Sequence, residues 1–183
     1  MKILPVEKAP AVTVLGIDPG LSSTGYAVLH QHGDRLVFRE GGLITTASSR
    51  SLEERLKEIF WGLSEVVAGH RPDLVAVEDL YSDYQNPASA VLMGHARGVC
   101  LLVAANHCLP VASYRPTRVK KSLTGNGRAS KRQVKGMVKV MLGLAAEPTS
   151  EHVADAIAVA LCHLRETRVQ GLNRHNRGRP GGG

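Results

Sequence analysis

Three carboxylates stand inside segments that any fold of this chain must bury. Asp18 closes the run Val12-Thr13-Val14-Leu15-Gly16-Ile17, and Glu78 closes Leu74-Val75-Ala76-Val77. Asp155 lies within Val153 to Leu161, a segment of helix length that is apolar almost all round. An isolated ionised carboxylate in such surroundings is costly unless a cation or hydrogen bonds compensate it. Three of them, far apart in sequence, point to one shared cation site, so the fold has to bring residues 18, 78 and 155 to one place. Acidic clusters that bind Mg²⁺ or Mn²⁺ and act on phosphate are the leading explanation.

The patterns around these residues give an element order. Residues 12–18 read as a buried strand turned by Asp18-Pro19-Gly20. Gly25 to Leu29 and Leu36 to Ile44 read as two more strands, with Gly41-Gly42 suggesting a bulge. Short turns between them imply an antiparallel three-strand meander. Ser51 and Glu54 make a capping box, and Leu52, Leu56, Ile59, Leu63, Val66 and Val67 recur at helical period. Residues 74–78 then form a strand reached by a parallel crossover. Asn86-Pro87 opens a helix running to about Asn106, whose Gly94, Ala96 and Gly98 allow close backbone approach. Residues 110–114 form another strand. Ser130 and Gln133 form a second capping box ahead of a helix stopped by Gly143, and Pro148-Thr149-Ser150 opens a last helix to about Glu166. The order predicts an α/β fold: a mixed sheet, meander plus parallel strands, with helices packed on it. Ligands in such sheets sit at the C-terminal ends of strands, and Asp18 and Glu78 each end one.

With 183 residues, 43% of them hydrophobic, the chain supports one full core. We expect a domain at 12–167 with flexible tails at 1–11 and 168–183. No stretch approaches the roughly 20 apolar residues of a membrane span, and the opening Met1-Lys2-Ile3-Leu4-Pro5 is short for a secretion signal. Cys100, Cys108 and Cys162 lack paired spacing and read as reduced thiols of a cytosolic protein. The charge is divided: residues 1–111 carry a net −3 and residues 112–183 a net +10. From Ala112 to Lys139 there are nine basic residues and no acidic one, which points to a polyanion-binding face. Arg115, Arg118, Lys120, Lys121, Arg128, Lys131 and Arg132 are the candidate nucleic-acid contacts there. Lys131 and Arg132 oppose the dipole of the helix they open, which makes sense if a phosphate docks at that N-terminus.

His152 shares a helix face with Asp155 and is a candidate fourth metal ligand. Glu151 suits the helix N-terminus for dipole reasons and stands in reserve. Asp79 should point to the strand face opposite Glu78. Tyr81 is placed to stack on an unpaired base or to pack at the strand's end.

Taken together, Gly16-Ile17-Asp18-Pro19-Gly20-Leu21-Ser22-Ser23-Thr24-Gly25-Tyr26, Val77-Glu78-Asp79, Gly94-His95-Ala96-Arg97-Gly98 and Ala154-Asp155-Ala156-Ile157-Ala158 resemble RuvC-type Holliday junction resolvases over residues 12–166. The resemblance implies a ribonuclease-H-like fold, a homodimer, and divalent-metal-dependent nicking of four-way DNA junctions in homologous recombination and repair. It implies Asp18, Glu78 and Asp155 as metal-binding catalytic residues, His152 where the family often has Asp, and Lys120 and Lys131 as active-site lysines. It puts Tyr81 at an aromatic position near the branch point. It also implies two Mg²⁺ ions, with Mn²⁺ as the alternative, a branch-migration partner (RuvA-RuvB), and a cytoplasmic setting without a membrane partner. Three other readings stay open at this stage: a junction-binding scaffold with a spent site, an RNA-processing nuclease of the same superfamily, and a nucleotide-dependent phosphotransferase.

Overall fold

A computed structural model describes residues 11–80 and 87–177 of the chain, with side chains through 168. Strands β1 (Ala11–Asp18), β2 (Ser23–His32) and β3 (Arg35–Thr45) form the antiparallel meander. Strands β4 (Leu74–Glu78) and β5 (Val111–Tyr114) add in parallel on the other side of β1, giving the order β3-β2-β1-β4-β5. Five helices cover the sheet: α1 (Leu52–His70), α2 (Pro87–Asn106), α3 (Pro116–Thr124), α4 (Lys131–Leu142) and α5 (Glu151–Arg177). This is the mixed α/β arrangement that the sequence predicts.

The pleat decides what each face carries. Val14, Ala27, Leu29 and Ala76 pack with Val134, Val138, Ile157 and Leu161 of α4 and α5 in one core. Leu15, Ile17, Val28, Val75 and Val77 pack with Ile59, Leu63, Ala96, Cys100 and Val103 of α1 and α2 in the other. Residues two apart share a face. Asp18 therefore follows Val14 and Gly16 towards α5, and Glu78 follows Leu74 and Ala76 the same way. Ile17 pairs with Val77, so the next residues of the two strands, the two carboxylates, come out side by side.

Two glycines let α5 lie directly on this sheet. A Cβ on Gly16 would collide with the carbonyl oxygen of Ala156, and one on Gly25 with that of His152. The first turns of α5 thus sit against β1 and β2, and the run Ala156 to Cys162 is buried. Both capping boxes form: Ser51 with Glu54 opens α1, and Ser130 with Gln133 opens α4. Gly143 closes α4 in the left-handed region (φ 61°).

Four features differ from the sequence expectation. The bulge falls at Arg39, where Val28 pairs with Glu40 and Leu29 with Phe38; Gly41 and Gly42 are regularly paired with Ala27 and Tyr26. Their small size accommodates the Phe38 ring and Val153 on one side and the Tyr26 ring on the other. Helix α3 is an extra element, started by Pro116 at its first turn and stopped by Gly125 at φ 78°. The last helix runs to Arg177, beyond the expected end at about Glu166. Finally, α2 is long and apolar enough by length and composition to cross a membrane, with mean hydropathy 1.6. Its Gly and Ala residues pass as apolar without bulk, and Ala96, Cys100, Val103 and Ala104 bury one side of it in the core.

Candidate active site

Asp18, Glu78, His152 and Asp155 line one cleft of about 260 Å³, together with Lys120, Lys131, Pro116, Val119, Val134 and Ala158. Two adjacent strand ends deliver Asp18 and Glu78, and the first turns of α5 deliver His152 and Asp155. Asp18 is 8% exposed. The Asp-Pro-Gly turn after it is closed without its help: Thr24 Oγ1 donates to the Gly20 carbonyl at 2.7 Å. The Asp18 carboxylate is left to face the cleft, where its Oδ2 lies 2.7 Å from His152 Nδ1.

The electrostatics are those of an under-compensated acidic cluster. Burial pushes Asp18 above the ordinary carboxylate range, against the lowering pull of His152. Burial, and then the charges of Asp18 and Asp155, push Glu78 up to about 8. Burial and Asp18 push Asp155 up to about 6. Burial holds all three from ionising, the charge of Asp18 adds to it at Glu78 and Asp155, and a cation entering the cleft would relieve all three at once.

The donor set fits a hard divalent ion: three carboxylates with one imidazole, open to solvent on one side. Among the described residues, no three or more His, Cys, Asp or Glu side chains stand together closely enough to hold a metal ion in this conformation. The Asp18–His152 hydrogen bond is one physical reason, since the ring occupies an oxygen that would otherwise meet the ion. A partial protein shell also suits Mg²⁺, which keeps several waters and is commonly held by one or two carboxylates and substrate phosphate.

The basic residues divide into groups. Lys120 of α3 and Lys131 of α4 reach the cleft. Lys131 Nζ lies 2.6 Å from Glu151 Oε2, and this bond raises the lysine's pKa. Glu151, the reserve ligand, is therefore turned to Lys131. Arg115, Lys121, Arg128 and Arg132 stand towards solvent. Arg118 is instead engaged: its Nε and Nη2 donate to the two oxygens of Glu166 at 2.6 Å each, and its guanidinium lies over the Tyr114 ring. It fastens α3 to α5 rather than standing free for a phosphate. Tyr81 lies outside the described residues. Asp79, as expected, is not in the acidic cluster; it pairs with Arg97. The Lys131–Glu151 and Arg97–Asp79 pairings went unforeseen, because nothing in local spacing signals a partner 20 or 18 residues away. A lone Arg in the small, apolar α2 was the one available hint.

Known proteins resemble this chain over most of its length. The family model described as crossover junction endodeoxyribonuclease RuvC matches residues 14–163. A curated crossover junction endodeoxyribonuclease RuvC from Rhodopirellula baltica is 52% identical over 161 residues, 88% of this chain and 90% of that protein. The corresponding protein of Citrifermentans bemidjiense is 43% identical over 87% of this chain and 96% of its own length. Among solved structures, Thermus thermophilus RuvC in complex with a Holliday junction substrate superposes with a TM-score of 0.82 at 34% identity, over 87% of this chain and 96% of that one.

Proposed function

Because the chain belongs to the RuvC family of crossover junction endodeoxyribonucleases, we propose that it resolves four-way (Holliday) DNA junctions by paired nicks, in homologous recombination and DNA repair. The observation that carries this reading is the meeting of Asp18, Glu78 and Asp155, all with raised pKa values, in one cleft with Lys120 and Lys131. Such a set is poorly stable alone and well matched to cations plus a phosphodiester.

In this reading Asp18, Glu78 and Asp155 hold the metal, and His152 orients Asp18 and serves as an additional ligand. The chemistry supplied by bound Mg²⁺, as a pair of ions with Mn²⁺ the alternative, is activation of water and neutralisation of the leaving 3′ oxygen. Lys120 and Lys131 offset charge on the phosphate as it becomes pentacovalent. Lys131 exchanges Glu151 for the phosphate, a cheap exchange because both partners are well exposed and such pairs are weak. The products are a 5′-phosphate and a 3′-hydroxyl. Arg115, Lys121, Arg128 and Arg132 carry the junction's backbone, and Tyr81 stacks near the branch point.

A twofold junction with paired nicks calls for a twofold enzyme. The outer side of α2, with Val91 at 59%, Leu92 at 40% and Leu102 at 52% exposure, suits a second copy of the chain, since such apolar surface commonly marks an interface. We further propose residues 12–167 as the nuclease domain, a cytoplasmic setting, and RuvA-RuvB as the branch-migration partner. The test is nicking of a labelled mobile four-way DNA junction, with an RNA duplex alongside, in Mg²⁺ and in Mn²⁺. Metal-dependent symmetric nicks in the junction are expected. Binding without nicking, or preference for the RNA duplex, would overturn the proposal.

A further inference from the structure

Arg97 is an anomaly of α2. It follows Ala96 on the side facing the sheet, in a helix whose other residues, His95 and Asn106 apart, are small or apolar, and its side chain is only 19% exposed. A guanidinium withdrawn from water needs hydrogen-bond acceptors. Those it finds converge on one point, the C-terminal end of β4. Nε donates to the carbonyl oxygen of Glu78 at 3.4 Å. Nη2 donates to Ser113 Oγ of β5 at 2.9 Å and lies 3.1 Å from Asp79 Oδ1. The Asp79 amide in turn donates to the Tyr114 carbonyl at 2.8 Å, which extends the ladder one residue beyond the strand.

This arrangement meets a specific need. Glu78 is the last residue of β4, and its side chain leaves on the α5 face while Arg97 approaches from the α2 side. The backbone of a strand's last residue is fixed on fewer sides than that of an interior one. A planar fork reaching the carbonyl of Glu78, the side chain of Asp79 and the neighbouring strand fixes it from behind. We propose that Arg97, with Asp79 as its counter-ion, is a positioning residue for the Glu78 carboxylate. It does not touch the cleft; it acts by holding the strand end from which Glu78 projects. The inference rests on the assignment of Glu78 to the metal site made above. A lysine cannot replace the fork, because a single ammonium on a flexible stem does not span the three acceptors in fixed directions.

The experiment compares Arg97→Lys, Arg97→Gln, Asp79→Asn and Glu78→Gln in the full chain. Thermal melting is followed against Mg²⁺ without DNA, alongside single-turnover nicking and junction affinity. For both Arg97 variants the Mg²⁺ midpoint for thermal stabilisation should rise about 10–100-fold, as it does for residues that orient metal ligands. Nicking at saturating DNA and fixed Mg²⁺ should fall in parallel, with junction Kd within about twofold of the parent, since no phosphate contact is lost. Asp79→Asn should shift the midpoint in the same direction by less. Lower stability in EDTA with an unchanged Mg²⁺ midpoint would make Arg97 merely structural and overturn the proposal. Arg97→Lys behaving as the parent would overturn it too. Failure of the underlying reading looks different: Glu78→Gln would then itself leave the Mg²⁺ response and nicking intact.

Discussion

Replacing Asp155 by Asn should make the metal-free protein more stable while abolishing its activity. The shape of the side chain is kept and one negative charge is removed from the cluster. In the folded protein the Asp155 carboxyl is pushed up to about 6 from an ordinary 3.8, chiefly by burial and then by Asp18. A carboxyl with a raised folded pKa favours folding when protonated. That contribution is complete below the unfolded value, is lost as pH rises between the two values, and stays lost above the folded one. At pH 7.5 the ionised Asp155 therefore works against folding. A tenfold change in proton affinity is worth about 1.4 kcal/mol, so the rise from 3.8 to about 6 sets a ceiling of about 3 kcal/mol. Solvent reaching the open side of the cleft reduces this, and about 1–3 kcal/mol is the expected gain. For a domain of this size that is a rise in Tm of roughly 2–10 °C. Scanning calorimetry of parent and variant in EDTA at pH 7.5 measures it directly, and nicking of a four-way junction provides the functional arm. With Mg²⁺ added, the parent should gain more stability than the variant, narrowing or reversing the difference. An Asp155→Asn protein less stable than the parent in EDTA would refute the reasoning, because the carboxylate would then be compensated by its protein surroundings and need no cation.

The same electrostatics predict that metal-free parent protein gains stability as pH falls from 8 towards 6, because Glu78, pushed up to about 8, takes up its proton in that window; denaturant titrations in EDTA at the two pH values check the sign, and Mg²⁺ should flatten the trend. His152→Asp should keep nicking and raise the rate in Mg²⁺ relative to Mn²⁺, since a carboxylate replaces a softer imidazole ligand beside Asp18; an unchanged ratio would count against ligation. Lys120→Ala and Lys131→Ala should each lower the single-turnover rate at saturating DNA by about 100–1,000-fold, the range for one lost transition-state charge-stabilising donor. If the log–log salt slope of binding flattens by about one and the rate is unchanged, those lysines serve only as landing points.

What was legible in the sequence was whatever local chemistry announces. The capping boxes at Ser51 and Ser130 marked two helix starts to the residue, because the box is a local pair of hydrogen bonds. Strand β4 was placed at 74–78 because its apolar run is bounded by Asp73 and Glu78. The acidic cluster was legible because buried charge is anomalous wherever it occurs. Helix α3 is not legible in the sequence because its nine residues offer only Val119 and Leu123 as buried positions, too few to establish a period. The bulge was misplaced by two residues because Gly41-Gly42 carries the usual signature of irregular backbone, whereas here the glycines make room for Phe38 and Tyr26. The pairing of Arg118 with Glu166 depends on how α3 lies across α5, which no spacing within either segment encodes. The length of α5 beyond Glu166 was likewise hidden, since its polar continuation to Arg177 reads by composition as a tail.

Whether three separate carboxylates form one metal-dependent nicking site is decided by Asp18→Asn and Glu78→Gln on a labelled four-way junction. Binding in EDTA and single-turnover nicking in saturating Mg²⁺ are measured on the same preparations. On this account junction affinity should be at least the parent's in both variants, since neither substitution removes a phosphate contact, with nicking reduced to background. Near-normal nicking by either variant would contradict it, whatever the affinity.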